Sequence, residues 1–443
     1  MSTLLPFLFV LGVLVFVHEL GHFLVARWHG VRVLTFSLGF GPKLFSIRRG
    51  DTEYCISIIP LGGYVKMAGE PSDYITADVA QEGKPDEFMS KTKWQRFQIY
   101  VAGPLMNMLL ALVIMSFVFY AGATEFLYLK KPALIGAVAP GSAAEKAGIK
   151  PGDLITSVAG KTIDTWDRLE LVVMPRAGRE VPVTIRRGSE DLSLQVTVDS
   201  KTKYQMGDLG VLPEVHPQVS AVFPDEPAAK AGLENGDVVM ALNGGPIDYP
   251  GMKDKIAGSP GQPLTFTVER NGQRKDITVT PRKQGDKGWI GVSYQPGETR
   301  EIQPSFPQAV QMSVNQNVEW STLIFQTFVG LFSGQTSIKQ LSGPVGIAEL
   351  SGGAARIGWS ALFTLMCMIS VNLGILNLLP IPMLDGGHIF IMAMEGAARR
   401  DFSMKVKEKL LMAGFLMIMA LMGTVIYNDV MRIEWIARLV PWR

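Results

Sequence analysis

Two histidines four residues apart, with a glutamate after the first (His18-Glu19-Leu20-Gly21-His22), stand inside the otherwise apolar stretch 7–30. On a helix, positions i and i+4 share one face, so both imidazoles reach a single ion while Glu19 sits beside them. The chain has five histidines in 443 residues, and chance gives H-E-x-x-H in only roughly a few such sequences per thousand. If these histidines were mere packing, Glu19 would be left charged in lipid or would have to be neutralised, and either is costly. A divalent cation removes that difficulty. A catalytic zinc takes three protein ligands and keeps one position open for water. The candidate third ligand is Asp385 in "NLLPIPMLDGGH", where Pro380 and Pro382 break a helix and Gly386 and Gly387 are expected to loosen the chain. Zn²⁺ with the carboxylates of Asp385 and Glu19 and two neutral imidazoles sums to zero charge. Such a group activates water and polarises a carbonyl, with Glu19 as general base, which is the chemistry of peptide-bond hydrolysis. Asn372 and Asn377, upstream of Asp385, could hydrogen-bond the backbone of an unwound substrate or an oxyanion; the competing role is to glue helices together. His388 is expected beside the ligands or on the substrate side, His29 is too far along the helix to share the ion, and His216 is expected at a surface.

These residues need a membrane to explain them. Hydrophobic residues make up 47% of the chain and charged ones 19%, a balance richer in apolar residues than ordinary soluble proteins show. Four segments are apolar enough to span: 4–26, 97–121, 359–379 and 410–426. The first has no basic leader or small-residue cleavage site ahead of Arg27 and Arg32 and is expected to be a retained anchor. Basic residues crowd 27–96 and 399–409, so both stretches are expected in the cytoplasm, with the N-terminus, the long middle region and the C-terminus outside. The first and third spans then run in the same direction, and His18, His22 and Asp385 should reach a similar depth toward the cytoplasmic side. Net charge is +2, which gives no reason to invoke nucleic acid. Cys55 lies in a loop and Cys367 in a span, so a structural disulfide is not expected.

The region 125–300 reads as soluble protein with an internal repeat. "PGSAAEKAGIKPGDLITSVAGKTI" from Pro140 aligns without gaps on "PDEPAAKAGLENGDVVMALNGGPI" from Pro224, so that Ala144, Lys146, Gly148, Asp153 and Gly160 recur 84 positions later. That spacing suits two tandem domains of one fold. Each resembles a bacterial-type PDZ domain, whose groove between a strand and a helix accepts an extended peptide; a role as spacer or steric shield is the alternative. After the first span, residues 31–66 alternate around a turn at 49–51 and read as a hairpin beside the membrane. Residues 306–332 read as an amphipathic helix lying at the interface or against the bundle. The expected architecture is a multi-pass α-helical membrane protein with four transmembrane helices, a membrane-associated β-hairpin and two tandem PDZ-like α+β domains. Its segments are 1–30, 31–96, 97–124, 125–208, 209–298, 299–356, 357–398 and 399–443.

H-E-L-G-H in a first span, L-D-G in a third, the two PDZ-like units between the second and third, and "GFGP", "GGYVKM" and "SVNLGILNLLPIPMLDGGH" together resemble the bacterial site-2 proteases of the RseP type. The likeness covers essentially the whole chain. It implies zinc on His18, His22 and Asp385, Glu19 as base, and Asn377 with Asn372 on the substrate. It further implies regulated intramembrane proteolysis in the inner membrane, with periplasmic PDZ domains. The implied substrates are single-span membrane proteins, such as a trimmed anti-sigma factor or a remnant signal peptide, cut within the bilayer. The rival reading is a membrane receptor or scaffold whose PDZ domains bind unfolded C-termini and whose metal is structural. A structural site is normally closed by four protein ligands, which argues against it.

Overall fold

A computed structural model of the chain describes residues 3–70, 83–201, 206–247, 249–297, 299–334 and 336–432. The loop 71–82 and the outer tail 433–443 of the expected segments lie outside the described residues. In chain order, helix α1 (Leu4–Trp28) is followed by strands β1 (Val33–Arg49) and β2 (Thr52–Met67) and by helix α2 (Lys93–Tyr120). A long middle region holds helices α3 (Trp166–Val173) and α4 (Tyr249–Ala257) among many short strands. Then come α5 (Phe306–Phe332), α6 (Pro344–Ile357), α7 (Trp359–Leu378), α8 (Asp385–Ala398) and α9 (Met404–Met431). The chain divides into two compact units, one of Met1–Gly122, Gln303–Val329 and Leu341–Arg443, the other of Ala123–Ile302 and Gly330–Gln340.

In the first unit, α1, α2, α7 and α9 are long and apolar enough to cross a membrane. Thr92 starts α2 with a capping box, its side chain accepting from the Gln95 backbone while the Gln95 side chain accepts from Thr92 N–H. Helices α1 and α2 approach closely because Gly21 faces the backbone of Ala102, where any side chain would collide. Helix α7 joins α2 in the same way, an added Cβ at Gly374 falling 3.0 Å from the Pro104 carbonyl oxygen. Helix α5 packs Trp320 and Ile324 against Ala111, Met115 and Cys367, and Ser313 Oγ donates to Leu112 O at 2.8 Å. Asp429, near the end of α9, accepts from Gly343 N and Gly346 N at 3.0 and 2.9 Å and so caps the start of α6.

The β structure that follows α1 is more folded than one hairpin. Arg49 pairs with Thr52 and Phe45 with Ile56, but Thr35–Leu38 also pair with Glu53–Ile56 and, on their other side, with residues 63–66. The segments therefore lie in the order 43–49, 52–57, 33–38, 63–67. Gly39 and Gly62, with φ of +91° and +118°, supply the bends that let two strands make four segments. Period-two alternation continues through such bends, so a long hairpin and a folded one look alike in sequence.

In the second unit, the first half carries a sheet in the order Lys161–Thr162, Leu154–Val158, Glu180–Arg187, Glu190–Thr197, and α3 buries Trp166, Leu169 and Val172 against Ile155, Val183 and Ile185. Val211–Pro213 pairs with Ile135–Val138. It therefore belongs with the first half, although the expected boundary falls at 208/209. The second half orders its strands Gln273–Val279, Leu264–Arg270, Val238–Leu242, Pro217–Val222, Val292–Pro296, with Met252 and Ile256 of α4 buried against Val239, Phe266 and Val268. The repeat is visible in individual bonds. Asp153 accepts from Lys150 N and from both Nε and Nη2 of Arg187, which also donates to Gly148 O. Asp237 accepts from Glu234 N and from Arg270 in the same way, and Arg270 donates to Gly232 O. Ala123–Phe126 and Thr299–Ile302 pair as an antiparallel ribbon, so the unit's two main chain ends lie side by side.

Candidate active site

His18 and His22 face inward from α1, each less than a tenth exposed, with their rings 4.9 Å apart. Beyond α7 the chain stops being helical at Leu379, because neither Pro380 nor Pro382 offers an N–H and each favours an extended residue before it. Leu384 is extended, and Asp385 opens α8 as its first residue. Gly386 and Gly387 are helical and buried, and a Cβ on either would strike the backbone of 378–382. They therefore tighten the turn rather than loosen the chain, because only glycine lets the new helix start so close to the broken one.

The result is a triangle of donor atoms. His18 Nε2 lies 3.3 Å from His22 Nε2 and 3.3 Å from Asp385 Oδ2, and His22 Nε2 lies 3.5 Å from the same oxygen. A tetrahedral ion with bonds of about 2.0–2.1 Å needs ligand atoms about 3.4 Å apart, so the three atoms have the spacing that zinc requires. His22 Nδ1 donates to Ile99 O of α2 at 2.8 Å, which leaves Nε2 with its lone pair toward the triangle. Gly103 of α2 lies against both imidazoles, and a Cβ there would meet His22 Nε2.

Glu19 is 8% exposed and lines the same cavity of about 660 Å³ as the two histidines and Asp385. Residues 62–67, the last segment of the β order, form one wall of it, and Gly63 leaves room for Val15 and Glu19, which lie 2.9–3.0 Å from where its Cβ would be. Asn377 and Leu373 also line it. Asn372 is exposed and is not among the lining residues. Five positions on a helix turn through about 140°, so Asn372 points well away from the direction of Asn377. His388 stacks on Tyr100 at 4.8 Å and reaches the cavity wall, whereas His29 bonds Gln98 Oε1 at 2.7 Å away from it. His216, in the other unit, is half-buried rather than on the surface.

Three contributors escape a reading of spacing alone. Gly103 and Asn107 act from α2, and Asn107 Nδ2 lies 3.2 Å from His18 Nδ1. Glu70, just past β2 and outside the spans, also lines the cavity, and burial pushes its carboxyl up to about 7. An amide inside an apolar span was the one available signal for Asn107; nothing in the local pattern marks the other two.

Residues 6–421 match the family model for peptidase family M50. A Neisseria meningitidis protein named as a zinc metalloprotease is 35% identical over 98% of this chain and 100% of its own length. The regulator of sigma-E protease RseP of Salmonella typhimurium is 33% identical over 97% of this chain and 99% of its own, and that of Escherichia coli K12 is 32% identical over 97% and 98%.

Proposed function

The chain belongs to peptidase family M50 and is a zinc metalloprotease, and from that premise we propose that it cuts the transmembrane segments of single-span membrane proteins inside the bacterial inner membrane. The observation that carries this reading is the 3.3–3.5 Å triangle made by His18 and His22, on spanning helix α1 beside a buried Glu19, with Asp385, which opens α8 just past spanning helix α7. His18, His22 and Asp385 would hold the zinc, leaving the cavity side open to water and substrate. When bound, zinc polarises a carbonyl and acidifies water. Glu19 accepts the proton that water gives up as it attacks, and hands it to the departing amine. Asn377, which lines the cavity, offers its amide to the substrate backbone.

A helical substrate hides its peptide bonds in its own hydrogen bonds and must unwind before it reacts. The segment 63–67 supports this step, because an extended strand laid along a sheet edge keeps its backbone polar groups paired at membrane depth. The basic stretches 27–96 and 399–409 support a site toward the cytoplasmic side and a middle unit in the periplasm. Its two repeated halves are PDZ-like domains that screen substrates by the size of their outer part. Anti-sigma-factor-like proteins trimmed by an earlier cut, and remnant signal peptides, meet that requirement; the sigma-E names of the relatives favour the former.

The test is Glu19→Gln in the purified full chain with a model transmembrane peptide. The variant is expected to keep its zinc and lose cleavage by at least about 100-fold, the scale of a general base. Wild-type cleavage by the variant, or purified wild type without zinc, sinks the reading.

A further inference from the structure

Asn107 is an amide with no exposed surface in the middle of spanning helix α2. Its side chain faces His18 Nδ1 at 3.2 Å, and its backbone carbonyl accepts from Ser370 Oγ of α7 at 2.7 Å, so the residue is held from two sides. The Nε2 atoms of His18 and His22 converge with Asp385 Oδ2, which assigns Nε2 as the metal-facing nitrogen of each ring. His18 Nδ1 must then carry the ring proton and act as a donor. With the Asn107 nitrogen toward it, two N–H donors would oppose each other, and Asn107 Oδ1 is buried without a partner. Half a turn of the amide brings the oxygen to the ring, where it meets a donor instead of opposing one, since the two ends of an amide have the same shape and differ only in hydrogen bonding.

Resting on the protease reading above, we infer that Asn107 is a positioning residue: its carbonyl oxygen accepts from His18 Nδ1–H, fixing the ring's tautomer and angle as Ile99 O does for His22. The two imidazoles would thus be oriented from one helix, α2, by one backbone and one side-chain carbonyl eight residues apart. Such partners of metal-bound histidines set affinity through the ring they hold.

The experiment measures zinc affinity of the full chain in detergent by competition with a chromophoric chelator. Asn107→Leu, similar in volume but without an acceptor, is expected to bind zinc about 10–100-fold more weakly, and Asn107→Asp, which restores an acceptor, to stay within about threefold of wild type or bind more tightly. The inference is overturned if Asn107→Leu holds zinc like wild type, or if Asn107→Asp weakens as much as Asn107→Leu. Should either variant fail to fold, the cobalt-substituted wild type decides. Its proton spectrum is expected to show two strongly shifted exchangeable imidazole N–H signals, one per hydrogen-bonded histidine, and a single signal overturns the inference. Wild type without metal takes the protease reading down as well, whereas a zinc-dependent protease indifferent to Asn107→Leu removes this inference alone.

Discussion

Gly103 lies so close to the imidazoles of His18 and His22 that its missing side chain is part of the site's geometry. Gly103→Ala should push His22 out of the donor triangle, lowering zinc content and cutting transmembrane-peptide cleavage by about 100-fold, the cost of a misplacement near 1 Å. Gly12→Ala, on the same bundle with nothing within 4 Å of the added methyl, should leave both unchanged. Metal analysis and a peptide-cleavage assay on the two variants check this, and a Gly103→Ala enzyme with full zinc and full rate would contradict it. The contrast shows which residues a sequence reveals. His18, Glu19 and His22 are legible because four-residue spacing on one helix already makes a site, and Asp385 because prolines and glycines mark a broken helix at matching depth. Gly103 and Asn107 depend on how α2 is rotated and slid against α1, which an apolar span without a polar stripe does not encode.

Asp153 and Asp237 do the same work in the two halves of the middle unit, each tying a Gly-Asp turn to an arginine at the end of a strand. The Arg187 guanidinium holds the Asp153 carboxyl below its ordinary value of 3.8. A carboxylate with a lowered native pKa adds stability at neutral pH and loses it as pH falls through that native value. Asp153→Ala also leaves Lys150 N–H without its acceptor, and with Arg187 partly exposed the expected cost is about 2 kcal/mol. Amide hydrogen exchange over residues 133–198 should show this loss at pH 7, and the gap between wild type and variant should close as pH drops below about 4. A gap that stays constant with pH would mean that the pair contributes nothing through charge. The Gly-Asp turns were readable in the repeat because turn chemistry is local. The arginines were not, since they reach back from strands more than thirty residues away, and the fourfold division of β1 and β2 was hidden because glycine bends leave alternation intact.

Ala123–Phe126 and Thr299–Ile302, paired as a ribbon, are the chain ends by which the middle unit continues into the helices on either side of it in sequence. Phe126 and Thr299 are cross-strand partners, so a two-residue Gly-containing turn can connect them once 127–298 are removed, as in any hairpin. Among the described residues, those that line the cavity all lie outside the deleted stretch. The shortened chain should therefore fold in detergent, keep its zinc and cut a bare transmembrane peptide within about threefold of the wild-type rate, because insertions closed at their base carry little of the host's stability. Its selectivity is the informative part. If the repeated halves act as a size filter, the shortened enzyme cuts a single-span substrate that still carries a folded outer domain, whereas wild type cuts it only after trimming. A peptide-binding role for the grooves gives the opposite result: removing them weakens cleavage of the trimmed substrate and leaves the untrimmed one uncut. Parallel assays of both substrates with both enzymes separate these outcomes, and selectivity identical to wild type would show that the middle unit does not choose what enters the cavity.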